Sequence, residues 1–478
     1  MRKSPPVREL LYIKIANGLQ QQINTEVLKA GDKLPSIRMI CRQHGVSMST
    51  AQFAYYELER KSLIESRPQS GYYVSHSFRS KLAIPAASRP LRKPAATKAN
   101  DLFENTFNDA NEQDFTVFSR GVPALSLLPV AKLNKGILQA VRTLPGSGTM
   151  YESLQGNEKL RSAVAKWSFT WKGKLADKDI LTTAGCISAV AYCLMALTRR
   201  GDTIAVESPC FYGILQLAQS LGLKVLELPT NSQTGVEVDA LKKIFTTTKL
   251  AACLFVSNFS NPFGSLMPEE NKKEAVRLLQ QYNIPLIEDD IYGDVYFGEK
   301  RPGCCKSYDE SGLVLLCNSF SKTLAPAYRV GWVAPGKFMP QLSRIKLFHS
   351  LGNTPVTHEV IGSFLETGRY EAHLRKLRRT LQANYLQYVR VIGEHFPEGT
   401  KISRPQGGLS LWVELPLQID TIGLYNKAVT RKITFSPGSM FTLQKQFGHC
   451  MRLSYGLEWN EKTENGLKTL GKLACAVN

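Results

Sequence analysis

The chain has 478 residues and carries 60 Lys and Arg against 40 Asp and Glu, a formal net charge of +20. That length suits a small domain beside a large two-part body, and the basicity points to a polyanionic partner. No apolar stretch of signal-peptide type opens the chain and no run is long enough to span a bilayer, so we expect a soluble, cytoplasmic protein with no membrane partner. The ten cysteines show no C-x-x-C spacing and Cys304-Cys305 is vicinal, so no metal site is expected and the thiols read as reduced.

The charge is uneven. Residues 1–100 hold 17 Lys and Arg against 6 Asp and Glu, an excess of 11 out of the chain's +20. Leu11, Ile15, Leu19 and Ile23 recur every four positions and predict a first amphipathic helix. After Gly31, the run Leu34-Pro35-Ser36-Ile37-Arg38 opens a second, short helix with Ser36 as N-cap, and Gly45 makes the turn that follows. A third helix starts at Ser47, with Ala51, Ala54, Tyr55 and Leu58 on its inward face and its opening hydroxyls facing out. Leu63 to Val74 reads as a hairpin around a Pro/Gly turn that carries Arg67. Three helices and a basic hairpin make a winged helix-turn-helix over residues 1–75, whose third helix would enter the major groove by its N-terminal residues.

The segments Gly31 to Arg38, Ala54 to Leu58 and Ser70 to Val74 resemble the GntR family of bacterial transcription regulators. The resemblance implies double-stranded DNA as a partner. It sets Lys33, Ser36 and Arg38 near phosphates or bases, Ser47, Ser49 and Thr50 on the recognition helix, and Arg67 with Gly71 in the wing. Met48 stands where that family often has Arg, which bears on operator preference.

Residues 76–113 are rich in Ala, Pro, Ser, Lys and Arg and lose any apolar period, so they read as a linker extended in part by its prolines. From residue 114 to the end the pattern changes. Apolar, β-rich runs near 180, 204, 224, 252, 285 and 314 alternate with helix-like stretches, which predicts an α/β fold with a mostly parallel sheet covered on both faces. Several segments fall where such runs end. Ile180 to Ala189 reads as strand, tight turn through Ala184-Gly185, and helix start at Cys186, where a phosphate can meet exposed N–H groups. Ile204 to Gly213 is a strand followed by a turn with Pro209, Phe211 and Tyr212. Leu254 to Gly264 is another, ending in Asn261-Pro262-Phe263-Gly264. Ile284 to Tyr292 is a buried strand running into a loop with Asp289, which taken alone could be a surface carboxylate at a strand end.

The stretch Ser319-Phe320-Ser321-Lys322-Thr323-Leu324-Ala325-Pro326-Ala327-Tyr328-Arg329-Val330-Gly331 carries the most information. It resembles the cofactor-lysine segment of pyridoxal 5'-phosphate enzymes of the aspartate aminotransferase type, fold type I, class I/II. That resemblance makes Lys322 the catalytic lysine whose amine meets the cofactor aldehyde, while Ser319, Ser321 and Arg329 grip the phosphate with the Ala184-Gly185-Cys186 turn. By the same resemblance Asp289 faces the pyridine nitrogen, and Asn261 and Tyr292 face the phenolic oxygen. Phe211, with Tyr212 as the alternative, stacks on the ring. Arg452, in His449 to Tyr455, binds a substrate or effector carboxylate. Tyr151, in a Y-x4-G segment with Gly156 and Arg161, reaches the phosphate of a neighbouring subunit. Ala184 replaces the hydroxyl residue that many relatives carry in the phosphate turn, leaving backbone N–H groups to serve there.

A winged helix-turn-helix ahead of such a body resembles the MocR subfamily of GntR regulators. It implies a head-to-tail homodimer, and a small amine or amino acid that exchanges onto the cofactor as effector. A working aminotransferase with a secondary head stays open as the alternative, because the catalytic set is complete.

Overall fold

The structure, a computed structural model, describes residues 10–25, 27–29, 31–61, 63–67, 70–75, 82–91, 93–96, 106, 108 and 114–476. It divides into two units, residues 1–83 with 386–396 and residues 84–385 with 397–478. Among the described residues no helix is long and apolar enough to cross a membrane.

The first unit contains α1 (Leu11–Asn24), α2 (Ile37–His44), α3 (Met48–Arg60), β1 (Ile64–Arg67) and β2 (Gly71–Val74). Ile15, Leu19 and Ile23 of α1 meet Ala51, Ala54, Tyr55 and Leu58 of α3 in one buried cluster. Leu11, the first member of the expected stripe, sits at the helix start and is 61% exposed. The Ser36 hydroxyl accepts from Met39 N–H at 3.2 Å and caps α2, which ends at Gly45 in the left-handed region. Strands β1 and β2 pair antiparallel with Ile64 opposite Val74 and Arg67 opposite Gly71. Residues 31–34 lie alongside β2 through an antiparallel bridge of Lys33 to Tyr73, with Gly31 N–H on the Val74 carbonyl at 2.9 Å and Leu34 N–H on the Tyr72 carbonyl at 2.8 Å.

The second unit is built on an eight-stranded sheet. Its strands in chain order are β3 (Ala95–Ala96), β4 (Leu181–Thr183), β5 (Thr203–Glu207), β6 (Lys224–Leu228), β7 (Ala252–Phe255), β8 (Leu286–Asp289), β9 (Val314–Ser319) and β10 (Gly331–Ala334). Their spatial order is β3-β6-β5-β7-β8-β9-β10-β4. The run from β6 to β9 is parallel, while β10 pairs antiparallel with both β9 and β4. Successive side chains leave opposite faces of each strand. Val206, Leu254, Ile287 and Leu315 therefore pack with the Cys186–Leu197 helix on one face, and Ala205, Cys253, Leu286 and Val314 with the Val238–Thr247 and Glu269–Gln281 helices on the other. A smaller antiparallel sheet follows, of β11 (Lys401–Ile402), β12 (Ser410–Glu414), β13 (Ser436–Pro437) and β14 (Cys450–Ser454), in the order β11-β12-β14-β13.

The stretch expected to run as a linker is docked on this unit at Pro85, Ser88 and Ala95–Ala96. Ser88 exchanges backbone and hydroxyl hydrogen bonds with Thr230 and donates its hydroxyl to the Ser208 carbonyl at 2.6 Å. The Ser232 hydroxyl bonds the Pro85 carbonyl at 2.7 Å, and Ala95–Ala96 extends the sheet by pairing antiparallel with β6. A proline-rich chain satisfies such an edge without a continuous ladder, because its carbonyls and interleaved Ser groups still bond. The periodicity that reveals a packed segment is absent from it.

Gly156 shows a close approach that its motif needs. Its φ is +99°, and an added Cβ would lie 1.7 Å from Thr182 Oγ1 of β4. Gly156→Ala should cost on the order of 1–3 kcal/mol, read as a lowered denaturation midpoint with an unchanged slope.

Candidate functional site

The parallel strands deliver the cofactor motifs to one edge of the sheet, where ligands of open α/β sheets bind. In β8 and β9 Asp289 stands opposite Cys317, and the chain then runs through Ser319 into the turn with Lys322. Ser319 stands opposite Gly331, and Gly331 opposite Thr183. Three motifs far apart in sequence thereby become neighbours through backbone register alone.

At the phosphate end, β4 turns through Ala184 and Gly185 into the Cys186–Leu197 helix, whose first N–H groups have no carbonyl within the helix to bond. The Arg329 guanidinium reaches this turn, bonding the Ala184 carbonyl at 3.1 Å and the Ser321 hydroxyl at 3.3 Å. Ser321 N–H bonds the Ser319 hydroxyl at 3.4 Å. Gly185 has a φ of +84°, and an added Cβ would stand 2.3 Å from Arg329 Nη2. A glycine is therefore required to let the guanidinium lie on the turn. Helix N–H groups, a guanidinium and two hydroxyls form a donor set that suits a phosphate dianion.

At the other end, Lys322 Nζ bonds the Gly121 carbonyl at 2.7 Å and lies 5.9 Å from the centre of the Tyr292 ring. Burial, reinforced by the Arg452 charge and opposed by Asp289, brings the Lys322 amine down to about 8. Burial likewise pushes the Asp289 carboxyl up to about 6, although it accepts the Ile291 N–H at 3.1 Å and the Cys186 thiol at 3.2 Å. Cys186 thus serves twice in the geometry, with its N–H at the helix start and its thiol on Asp289. Asp290, next in the chain, points elsewhere and pairs with the buried Arg301.

Arg452 is 1% exposed, on β14 opposite Trp412 and Ser436. It donates to the Ser119 carbonyl, to the Ser436 hydroxyl at 2.8 Å and to Asn261 Oδ1 at 3.4 Å. Its Nε has no hydrogen-bond partner among the described residues. Tyr292 bonds Asn261, and burial pushes its hydroxyl upward. An added Cβ at Gly121 would meet Arg452 Nη1 at 3.4 Å and the Tyr292 hydroxyl at 3.9 Å. Lys322, Asp289, Cys186, Tyr292, Asn261 and Arg452 therefore share one buried site, and Ala184, Gly185, Ser319, Ser321 and Arg329 frame its phosphate end.

Two expected members stand apart from these contacts. Tyr151 is 85% exposed. Phe211 starts the Tyr212–Ser220 helix with its ring 4.7 Å from that of Tyr212, and Tyr212 in turn meets Phe441, over which Arg452 lies. Ser119, Gly121, Ser436 and Phe441 line the site without any local sequence signal beyond the turn chemistry of Gly121-Val122-Pro123. Glu414, His449 and Cys450 bring ligand atoms within 4.8 Å of one another, but Lys401 already occupies the Glu414 carboxylate.

In the first unit Lys33, Ser36, Arg38, Ser47 and Ser49 are exposed, Thr50 is half-buried, and the Arg67 side chain lies outside the described residues. The Ser47 hydroxyl accepts from Thr50 N–H at 3.1 Å and bonds the Thr50 hydroxyl at 2.9 Å. The Ser47 hydroxyl thus caps α3 and the Thr50 hydroxyl pairs with it, which leaves Met48 and Ser49 as the open positions of its first turn. Lys33 lies along the wing, with Nζ 5.8 Å above the Tyr73 ring and its stem 3.6 Å from a Cβ built on Gly71. The Tyr55 hydroxyl bonds the Pro35 carbonyl at 2.5 Å and locks α3 to the start of α2.

The chain matches the aminotransferase class I and II family model over residues 117–468 and the model of bacterial regulatory proteins of the gntR family over residues 11–74. It is 34% identical to the HTH-type transcriptional regulator YjiR of Escherichia coli (strain K12), itself uncharacterized, over 96% of this chain and 98% of that protein. The regulator YdcR of the same organism is also 34% identical, over 97% and 98%. Among solved structures, the multiple substrate aminotransferase from Thermococcus profundus superimposes with a TM-score of 0.73 at 24% identity, over 80% of this chain and 96% of that one, a likeness of fold. The aminotransferase class I and II family uses pyridoxal 5'-phosphate, and the chain belongs to the MocR-type regulators, in which a GntR helix-turn-helix is joined to an aminotransferase body.

Proposed function

We propose that this protein is a DNA-binding transcription regulator that senses an amine or amino acid through pyridoxal 5'-phosphate held at Lys322. The observation that carries the reading is one chain with a winged helix-turn-helix and a buried Lys322–Asp289–Tyr292–Asn261–Arg452 constellation. The cofactor, when bound, supplies an aldehyde for amines and a ring that accepts electrons. Asp289, with its carboxylate at the sheet edge, holds a proton on the pyridine nitrogen. Asn261 and Tyr292 hold the phenolic oxygen, and Arg329, Ser319, Ser321 and the Cys186 helix start hold the phosphate. Arg452, buried and with an unused Nε, receives the carboxylate of an amino-acid effector.

Self-association completes this reading. Met150, Tyr151, Phe348 and Leu351 are 62%, 85%, 75% and 57% exposed, and large apolar groups left open in this way suit an interface. A head-to-tail homodimer would cover them and bring Tyr151 to the partner's phosphate site. Two heads would then address paired half-sites on DNA in the cytoplasm.

The alternative of a working aminotransferase is favoured by one observation, the complete acid, base and carboxylate-binding set in a single buried site. Purified protein given amino acids and 2-oxoglutarate separates the two: a spectral change without sustained turnover is expected, and steady product formation would establish the enzyme.

Lys322→Ala should abolish the absorbance of the lysine-linked cofactor and any effector response while leaving basal DNA binding largely intact, as followed by absorbance and gel shift. Arg38→Ala should abolish specific DNA binding in a gel shift with cofactor absorbance unchanged, and unchanged binding would count against the reading. Because Lys322 loses its proton near 8 rather than in the usual lysine range, cofactor capture by the apoprotein should quicken as pH rises through about 8. A capture rate that is flat from neutral pH upward would contradict the assignment of the amine.

A further inference from the structure

The turn that carries Lys322 does little to hold itself. Thr323 N–H, Leu324 N–H and Ala325 N–H all converge on the Phe320 carbonyl, at 3.3, 2.9 and 3.2 Å. Three donors share one acceptor, so the turn lacks a ladder of its own. Its rigidity comes instead from Thr323, the buried residue next to Lys322, and from the first turns of the Arg369–His395 helix.

Tyr370 and His373 are three positions apart on that helix and so share a face. His373 Nε2 lies 2.6 Å from the Thr323 carbonyl, and the Tyr370 hydroxyl lies 3.1 Å from Thr323 Oγ1 and 2.9 Å from Asp294 Oδ2. The proton positions follow from what each group can do. A carbonyl only accepts, so His373 carries its proton on Nε2. Burial, with the Lys132 and Lys376 charges, lowers the His373 titration and keeps the ring neutral. A carboxylate also only accepts, so Tyr370 gives its proton to Asp294, while the Thr323 hydroxyl lies within hydrogen-bond distance of both the Tyr370 oxygen and the Phe320 carbonyl, the latter at 3.5 Å. Asp294 is itself held by Arg301 Nε at 2.6 Å and by Trp167 Nε1 at 3.2 Å. Both the main chain and the side chain of Thr323 are thereby anchored to groups outside the cofactor site.

We propose that His373 and Tyr370 are positioning residues, which fix the Thr323 backbone so that the neighbouring Lys322 Nζ addresses the cofactor aldehyde. The inference rests on Lys322 being the anchor. Neither residue belongs to the motifs that touch the cofactor: His373 acts through the Thr323 carbonyl, and Tyr370 through the Thr323 hydroxyl and through its ring contact with Phe320, 5.7 Å between centroids.

The test uses the full-length, cofactor-loaded protein in four variants, Lys322→Ala, His373→Ala, His373→Gln and Tyr370→Phe. Two readouts are followed: the pH midpoint of the visible absorbance of the lysine-bound cofactor, and the rate at which cofactor is lost on dilution. His373→Ala should move the midpoint and speed loss about tenfold, as removal of one such hydrogen bond implies. His373→Gln, which keeps a donor, should restore both. Tyr370→Phe, which preserves the shape and the Trp167 packing, should shift them in the same direction as His373→Ala and serves if the alanine variant fails to fold. Midpoints and loss rates equal to the unmodified protein in His373→Ala or Tyr370→Phe, even with lowered thermal stability, would overturn the proposal, as would a His373→Ala change that Gln leaves untouched. Visible absorbance persisting in Lys322→Ala would instead overturn the anchor assignment beneath it.

Discussion

Arg301 is a guanidinium removed from water, and a charge in that position must be matched by fixed acceptors. It is matched by two carboxylates, Asp290 and Asp294, at either end of the loop that leaves β8. Burial alone would raise the Asp294 titration, yet the Arg301 charge and hydrogen bond hold it below the ordinary carboxylate range. The loop pinned in this way carries Tyr292 and begins one residue after Asp289. Through Asp294 the same ion cluster reaches Tyr370 and the Lys322 turn. The relative placement of acid, phenol and amine therefore depends on a group that touches none of the chemistry.

The Lys322 amine is buried among two guanidiniums, Arg452 and the more weakly felt Arg329, and the Asp289 carboxylate. Like charges that share such a pocket raise the cost of protonating the weaker base, and lysine yields before arginine. The amine is left readier for a carbonyl, and the Arg452 guanidinium stands in the same buried site, bonded to Asn261. A regulator that reads amino acids needs both properties at once, since the amine end selects for exchange and the carboxylate end for orientation. An enzyme needs them equally, which is why turnover, and not the identity of the groups, separates the two functions.

Much of the second unit was legible in the sequence because its motifs are short and tied to strand ends. Asp289 ends a strand, Asn261 and Lys322 follow strands that run into polar turns, Arg329 precedes the strand that returns, and register carries them to one edge. The docking of the supposed linker was not legible. Ser88 and Ala95–Ala96 pack through backbone and hydroxyl bonds with no apolar period to betray them. Ser47 and Thr50 carried a different ambiguity, because a hydroxyl at a helix start can cap the helix or face a ligand, and composition does not say which. Gly121 and Ser119 lie some two hundred residues before Lys322, and their place in the site follows from long-range packing alone.

The sequence by itself determined the kinds of chemistry present: a basic three-helix head with a wing, a lysine within reach of hydroxyls and a guanidinium, and strands ending in polar turns. These are local properties, set by periodicity and by residues only a few positions apart. Only the tertiary structure decided the electrical state and support of those groups. How far Lys322 and Asp289 titrate from their ordinary values depends on burial and on charges brought from β14. What steadies Lys322 depends on Tyr370 and His373, brought from a distant helix. Electrostatic and hydrogen-bond energies depend on distance in space, and spacing along the chain carries no record of that distance.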